Sequence, residues 1–294
     1  MNTHQLIADA TTQLTKAGCA TPRLDAEILL CHAWHISRSE LIIRMPDDVP
    51  AEIKDRFRQM LVRRQRREPV AYIIGEKEFW SRSFRVDRRV LIPRPETEHL
   101  VESLLQLYPD KRGAFRFCDI GTGSGCIAVT LAREYPYAHI TATDVSEDAL
   151  DVARYNARRH GAGNITFRCG SMFDALAADD GPFDAILSNP PYIALQEYAG
   201  LEAELAHEPR VALTDEADGR HFLQQLVEQA PAWLARGGYL LVETGLSGLP
   251  GSTEAMILQK KVSDLAGHLR VGIYRRRLQP LIDTLLRIHR QQST

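Results

Sequence analysis

Between residues 115 and 243, short apolar segments alternate with longer segments of helical periodicity. Strands separated by helices predict a parallel sheet, because a parallel connection must cross over the sheet and the helix makes that crossover. We therefore predict an α/β fold, with a mostly parallel, doubly wound, Rossmann-like sheet. Its strands are predicted at 115–120, 140–144, 165–169, 183–188 and 239–243, and its helices at 126–134, 148–160 and 221–235.

The first 74 residues have a different pattern, with apolar residues at helical spacing and almost no strand signal. Thr21-Pro22 is typical of a helix start, so we predict a small N-terminal helical-bundle domain over 1–74. The period changes to two over 75–95, which predicts a hairpin-like connector. A helix over 96–107 then opens the α/β domain, 96–274, and a basic tail follows at 275–294.

Charge is distributed unevenly. Residues 1–95 carry a net charge of +5 and the remainder −7, with much of the positive excess in Arg63-Arg64-Gln65-Arg66-Arg67. Two interpretations remain open for this run. It is either the solvated end of a helix, where cations favour the dipole, or a docking face for an acidic protein or RNA.

No apolar run approaches the ~20 residues of a membrane span, and the N-terminus lacks the pattern of a signal peptide. We expect a cytoplasmic protein without a membrane partner. The five cysteines include no Cys-x-x-Cys pair, so we expect neither a disulfide framework nor a metal site.

A glycine-rich loop, Asp119-Ile120-Gly121-Thr122-Gly123-Ser124-Gly125, follows a predicted strand and opens a predicted helix. Its spacing differs from the dinucleotide fingerprint, because Cys126 occupies the place of the third glycine. Asp144 ends the next strand, where an acid can accept hydrogen bonds from two ribose hydroxyls. The pattern predicts a nucleoside cofactor, and the alternative is a glycine turn without a ligand.

The segment Asn189-Pro190-Pro191-Tyr192 follows the strand at 183–188. Two prolines stiffen the backbone and remove two N–H donors, and the Asn189 carboxamide adds another acceptor. Two acceptors on a rigid turn suit a planar NH₂ group. If strands 115–120 and 183–188 are neighbours, this turn and the glycine loop face one crevice. The alternative is a simple strand-ending loop.

These segments together resemble the class I S-adenosylmethionine-dependent methyltransferases that modify planar nitrogens. The chain is most similar to the HemK/PrmC family, the release-factor glutamine N5-methyltransferases. The resemblance extends from about residue 21 to 243, and its further signature segments are Arg67–Tyr72, Gly75, Glu78-Phe79-Trp80, Leu91–Glu98 and Glu208–Leu213.

The resemblance implies methyl transfer from S-adenosylmethionine, leaving S-adenosylhomocysteine, to the glutamine of the Gly-Gly-Gln motif in class-1 release factors. The helical domain would help to recognise the factor. Asn189 and the Pro190 carbonyl would accept the two amide hydrogens, with Pro191 in the same turn and Tyr192 packing on the substrate. The cofactor would contact Asp119, Gly121, Thr122, Gly123, Ser124, Gly125, Asp144, Met172, Phe173 and Asn189.

Some positions depart from the family pattern. At the position of Ser171 the family often has an acidic residue. At the position of Met172 it often has an aromatic residue, which stacks on adenine. After Glu243 the match fades, and 245–262 is short for the expected helix and strand. Residues 264–271 resemble the last strand pair only faintly. For the tail, an amphipathic helix is the simplest interpretation.

Other functions stay open at this point. A ribosomal-protein glutamine methyltransferase or an adenine N6 methyltransferase of nucleic acid would use the same planar NH₂ recognition. The net acidic catalytic region disfavours nucleic acid, and we expect a monomer. A non-enzymatic module that docks a translation factor is a further alternative, whereas the loop spacing disfavours a nicotinamide-dependent oxidoreductase.

Overall fold

The computed structural model describes residues 1–198 and 200–278, and its N-terminal part is a bundle of five helices. Thr21 is the N-cap of the second helix and Pro22 its first residue, as predicted. The helices are α1 (Thr3–Lys16), α2 (Pro22–Trp34), α3 (Arg38–Ile43), α4 (Ala51–Gln65) and α5 (Val70–Ile74).

The bundle has a core of its own. Leu14, Leu29, Leu30 and Phe57 are completely buried between α1, α2 and α4. Local capping supports this packing, since Asn2 and Gln5 form a reciprocal capping box at the start of α1. Gly75 ends α5 in the left-handed conformation, and the chain then enters the sheet-forming part.

A two-stranded antiparallel hairpin follows, formed by β1 (Glu76–Phe79) and β2 (Arg82–Arg85). Phe79 and Phe84 are buried in the core of the α/β region, which anchors the hairpin there. The Asn156 side chain accepts a hydrogen bond from the backbone N–H of Arg85 and donates one to the Ser124 carbonyl. The hairpin is thereby tied to the glycine-rich loop.

The main sheet has seven strands in the order β5-β4-β3-β6-β7-β9-β8. The first five in this order are parallel and the last two antiparallel, which confirms the mostly parallel sheet. The parallel strands are β3 (Arg116–Ile120), β4 (His139–Asp144), β5 (Ile165–Cys169), β6 (Phe183–Ser188) and β7 (Leu234–Glu243). β7 begins five residues before its predicted start.

Helices flank the sheet, and all but the first of them lie in connections between its parallel strands, as the alternation predicts. They are α6 (Glu98–Leu107), α7 (Cys126–Glu134), α8 (Glu147–Arg159), the short α9 (Leu195–Tyr198) and α10 (His221–Trp233). A 3₁₀ turn at Pro95–Thr97 precedes α6, because the prolines of this segment delay the α-helix. None of the helices described is both long and apolar enough to span a bilayer.

The chain after β7 corrects the sequence-based expectation. The last strand pair is β8 (Met256–Ser263) and β9 (Leu269–Arg276), so 264–268 forms the turn between strands. Residues 244–255 contain no helix. Arg275 and Arg276 pair within β9 although they fall in the predicted tail. The amphipathic helix predicted for that tail lies outside the described residues.

The arginine run is only partly exposed to solvent, because Arg66 is exposed whereas Arg64 is buried. Arg64 is only 5% exposed, and it donates to Asp25 of α2 and to Glu204, both at 2.8 Å. Arg67 also donates to Glu204, and Arg63 pairs with Glu68. Arg64 and Arg67 therefore join the helical bundle to the segment after α9.

The pKa of Glu204 shows how strongly its carboxylate interacts with Arg64 and Arg67. Burial opposes ionisation of its carboxyl group, yet hydrogen bonds from Arg67 and Arg64 lower its pKa to about 2. The carboxylate therefore stays charged at neutral pH between two cations. The sequence could not predict these partners, because Glu204 lies 140 residues from Arg64 along the chain.

We expect Arg64→Met to destabilise the protein by about 3–5 kcal/mol, since it leaves the buried carboxylate of Asp25 without its cation. Urea unfolding followed by circular dichroism measures the change. Arg58→Met is the matched control, because Arg58 and Asp55 form a pair whose side chains are 66% and 67% exposed. It should cost less than about 1 kcal/mol. Equal losses in both variants would contradict the structural role of Arg64.

Candidate active site

A cavity opens at the carboxyl ends of β3, β4 and β6, where the strand order reverses between β3 and β6. Ligands of doubly wound sheets bind at such switch points. The glycine-rich loop after β3 and the turn after β6 both line the cavity. Strands β3 and β6 are parallel neighbours, which confirms that loop and turn face one crevice.

Only part of the glycine-rich loop faces this cavity. Gly121 and Gly123 line it with positive φ angles of 75° and 53°, and a Cβ at either position would meet no atom within 4 Å. The loop therefore offers bare backbone to a ligand. Thr122 and Ser124 are buried beneath it, and Gly125 lies against Ala153 of α8, so these three residues do not line the cavity.

Asp119 supports the loop from below. It is completely buried, and its Oδ2 accepts hydrogen bonds from the Thr122 hydroxyl at 2.6 Å and the Ala128 N–H at 3.2 Å. Burial raises the pKa of Asp119 to about 7, and these two donors oppose the rise. Asp119 does not reach the cavity, so its contribution is to hold the loop.

Asp144 lines the cavity at the end of β4. Its carboxylate accepts hydrogen bonds from the Gly123 N–H at 2.8 Å and the Ser146 N–H at 2.9 Å. Burial raises its pKa, and these N–H donors oppose the rise. Asp144 thus fixes the loop and presents its charge to the cavity, in the position predicted from the sequence.

The segment after β5 contributes Gly170, Ser171 and Met172 to the cavity wall. Phe173, predicted to border the adenine, is 3% exposed and does not line the cavity. Its ring stacks on Trp233, with 6.5 Å between ring centroids. Phe173 therefore supports the wall from the core, whereas Ser171 and Met172 line the cavity.

In the turn after β6, a hydrogen bond defines the orientation of the Asn189 carboxamide. The Asn189 side-chain NH₂ group donates to the Thr97 hydroxyl at 3.1 Å. The carboxamide oxygen is therefore left as the free acceptor of Asn189. Pro190 and Pro191 line the cavity beside it and present no N–H.

A second, smaller cavity adjoins the first, and both are lined by Leu91, Asn189, Pro190 and Ala212. Tyr192 lines only the second. The Tyr192 hydroxyl donates to Glu243 at 3.0 Å, and its ring packs so closely on Gly245 that a Cβ there would lie 2.7 Å from it. The Asn-Pro segment thus separates two spaces, one beside the glycine-rich loop and one beside Tyr192.

Several site residues were not predicted. Thr97 and Glu243 contact the side chains of the turn, and Arg94 lines the second cavity while donating to Glu208 at 2.5 Å. Thr97, Arg94 and Glu208 lie in the signature segments, but no local pattern predicts a role for their side chains. Glu243 has a recognisable signal, since it is an acid at the carboxyl end of a predicted strand.

Family models match two parts of the chain. Residues 5–75 match the PrmC N-terminal domain and residues 111–267 match a methyltransferase domain. The chain is 44% identical to the release factor glutamine methyltransferase of Neisseria gonorrhoeae, over 76% of this chain and 81% of that protein. It is 38% identical to the enzyme of the same name from Rhodopirellula baltica, over 91% and 94%.

Solved structures support the fold. The hMettl16 catalytic domain, solved in complex with an RNA hairpin, aligns with a TM-score of 0.51 and 16% sequence identity. The alignment covers 67% of this chain and 76% of that domain. At this identity the similarity concerns the fold alone.

We expect Asp144→Ala to weaken S-adenosylmethionine binding about 10- to 100-fold, the loss expected when hydrogen bonds to a charged group are removed. Isothermal titration calorimetry measures it. Asp148→Ala is the control, because Asp148 is exposed on α8 only four residues away. Wild-type affinity in Asp144→Ala would contradict the role of this carboxylate.

Proposed function

The chain belongs to the release factor glutamine methyltransferase family, and on this premise we propose that Asn189 and the Pro190 carbonyl hold the side-chain amide of the substrate glutamine. The protein is an S-adenosylmethionine-dependent methyltransferase that methylates the N5 amide nitrogen of a glutamine in release factors. We assign the target to the Gly-Gly-Gln motif of class-1 factors.

The first cavity fits S-adenosylmethionine. Gly121 and Gly123 leave open space where side chains would intrude, and Asp144 offers a carboxylate at the end of the second strand of the parallel sheet. Met172 and Val145 add apolar wall beside this carboxylate. We propose that Gly121, Gly123, Asp144 and Met172 contact the cofactor, while Asp119, Thr122, Ser124, Gly125 and Phe173 support those contacts.

The orientation of the Asn189 carboxamide is the observation that supports the proposed substrate. Its NH₂ group is occupied by Thr97, so its oxygen is free to accept one amide hydrogen of the glutamine. The Pro190 carbonyl supplies a second acceptor on a backbone that two prolines stiffen. Two acceptors match the two N–H donors of a primary amide. Tyr192, in the adjoining cavity, borders the space for the rest of the glutamine.

These residues act mainly by alignment. An amide nitrogen is a weak nucleophile, because its lone pair is shared with the carbonyl group. S-adenosylmethionine, when bound, supplies a methyl group activated on a sulfonium. Holding the nitrogen in line at near-attack distance contributes about 7–11 kcal/mol to lowering a barrier. The acceptors at Asn189 and Pro190 also strengthen as the nitrogen gains positive charge, which favours the transition state.

We propose that the enzyme works as a monomer on a protein substrate in the cytoplasm. One chain supplies the lining of both cavities, and the helical bundle lies next to the segment that follows the Asn-Pro turn. Nucleic acid is disfavoured as a substrate because Arg63, Arg64 and Arg67 are engaged in internal ion pairs.

Methyl transfer can be tested directly. Purified protein is incubated with radiolabelled S-adenosylmethionine and an extract of translation factors and ribosomes. Label should appear in a class-1 release factor, and substitution of the glutamine in its Gly-Gly-Gln motif should abolish it. Label confined to ribosomal protein or to nucleic acid would overturn the substrate assignment.

We expect Asn189→Ala to lose about 100-fold or more in turnover, since misplacing a substrate has effects of this size. S-adenosylmethionine affinity should stay comparatively intact, because the other proposed cofactor contacts remain. Steady-state kinetics with a release factor and calorimetry with the cofactor separate the two effects. A parallel collapse of cofactor binding would contradict this division of roles.

A further inference from the structure

Residues 204–213, which follow α9, form part of the wall of both cavities. Leu205 lines the second cavity, and Ala212 lines both. The second cavity is also lined by Asn189 and Pro190, the proposed acceptors of the substrate amide. The 204–213 segment therefore borders the space in which we place the glutamine.

This segment contains only two short 3₁₀ turns, so contacts with other parts of the chain must hold it in place. At its end, the Ile193 N–H donates to the Leu213 carbonyl at 3.0 Å. In its middle, the buried Glu208 accepts the Ile92 N–H at 3.0 Å and a hydrogen bond from Arg94. Both of these anchors come from outside the helical bundle.

The start of the segment is anchored on the helical bundle instead. Glu204 accepts hydrogen bonds from Arg64 at 2.8 Å and from Arg67 at 2.8 and 2.5 Å. The two bonds from Arg67 reach both carboxylate oxygens, a bidentate geometry that fixes the direction of approach as well as the distance. The position of Leu205, the next residue, therefore depends on the bundle.

Arg67 is placed in this contact at some backbone cost. Its φ angle of 64° lies in the left-handed region, which residues other than glycine adopt only where the surrounding structure imposes it. A Cβ at Gly18 would lie 3.1 Å from Nη1 of Arg67, so this glycine leaves room for the guanidinium group. Because desolvation offsets much of the attraction between buried charges, such a cluster contributes to a defined geometry more than to net stability.

We propose that Glu204 is a positioning residue: held by Arg64 and Arg67, it fixes Leu205 as a wall of the substrate space, so that the helical bundle shapes the active site itself. The inference rests on the proposed function, because it places the glutamine in the space beside Asn189. Glu204 lines neither cavity, so it acts through its neighbour.

The wall matters because water competes for amide hydrogens. Apolar side chains that line the second cavity include Leu91, Ile193, Leu205, Ala212 and Leu213. Hydrogen bonds are electrostatically stronger where such side chains exclude water. A wall that moves outward at Leu205 admits water, which then competes with Asn189 and Pro190 for the glutamine NH₂ group. The nitrogen is less well aligned with the methyl donor as a result.

Glu204→Ala should lower kcat for a release factor by about tenfold and leave KM nearly unchanged, since a misaligned glutamine reacts slowly although the factor still docks. Steady-state kinetics at saturating S-adenosylmethionine measure both parameters, and cofactor affinity should stay at the wild-type level. The bundle should stay folded, because Arg64 keeps its ion pair with Asp25. Glu202→Ala is the matched control, since Glu202 is exposed and lies only two residues away, and it should keep wild-type kinetics.

Leu205→Ala tests whether Glu204 acts through the cavity wall. We expect this truncation to lower kcat by a similar factor, and the double variant of Glu204→Ala and Leu205→Ala to be no slower than Leu205→Ala alone. Independent effects would multiply instead, to a loss of roughly 100-fold in the double variant. Such a loss would show that Glu204 acts elsewhere and would overturn the proposal.

A readout independent of methyl transfer is amide hydrogen exchange followed by mass spectrometry. In Glu204→Ala, peptides that cover 204–213 should exchange about tenfold faster than in the wild type, because the segment opens locally when an anchor is lost. Exchange in α1 and α2 should not change, and Glu202→Ala should exchange like the wild type throughout.

The outcomes separate the two proposals. Faster exchange over 204–213 in a protein that methylates no release factor would refute the substrate assignment and keep the anchoring of the wall by Glu204. Unchanged exchange in Glu204→Ala would overturn the role of Glu204 whatever the substrate is. A rise in KM at constant kcat would also overturn it, because the cluster would then serve only to orient the bundle for docking.

Discussion

The parallel pairing of β3 with β6 is the constraint on which the site depends. Ile120 lies opposite Ser188 in this ladder, so the chain leaves both strands at the same level. The next residues are Gly121 and Asn189, which belong to the two halves of the active site. Because neighbouring backbones in a sheet lie about 4.8 Å apart, the cofactor space and the substrate space must adjoin. The helices and loops around them refine this arrangement and do not create it.

Much of this arrangement could be predicted from local sequence. The alternation of apolar strands and helices gave the sheet, and the bounds of β5, β6 and α7 agree with the prediction. Asp144 and Asn189 were identified because acids and amides at the carboxyl ends of strands converge at a switch point. These inferences need only the spacing of apolar residues along the chain and the direction of the strands.

What could not be predicted depends on partners distant in sequence. Phe173 was placed at the cofactor by analogy, whereas its stacking on Trp233 requires knowledge of how α10 packs. Two interpretations of the arginine run stayed open, because its partners Asp25 and Glu204 lie far from it in sequence. The hydrogen bond between the Tyr192 hydroxyl and Glu243 likewise joins two segments that lie 51 residues apart in sequence.

The contact between Gly245 and the Tyr192 ring has a consequence for how this sequence can diverge. Any larger residue at position 245 would push its first side-chain carbon into the ring. The displaced tyrosine would lose its bond to Glu243 and leave a buried acid poorly solvated. Substitution of this glycine is therefore disfavoured, whereas the neighbouring Leu246 is exposed and tolerates substitution. The absence of a side chain at Gly245 is thus a condition for the position of the Tyr192 ring, and evolution must preserve both together.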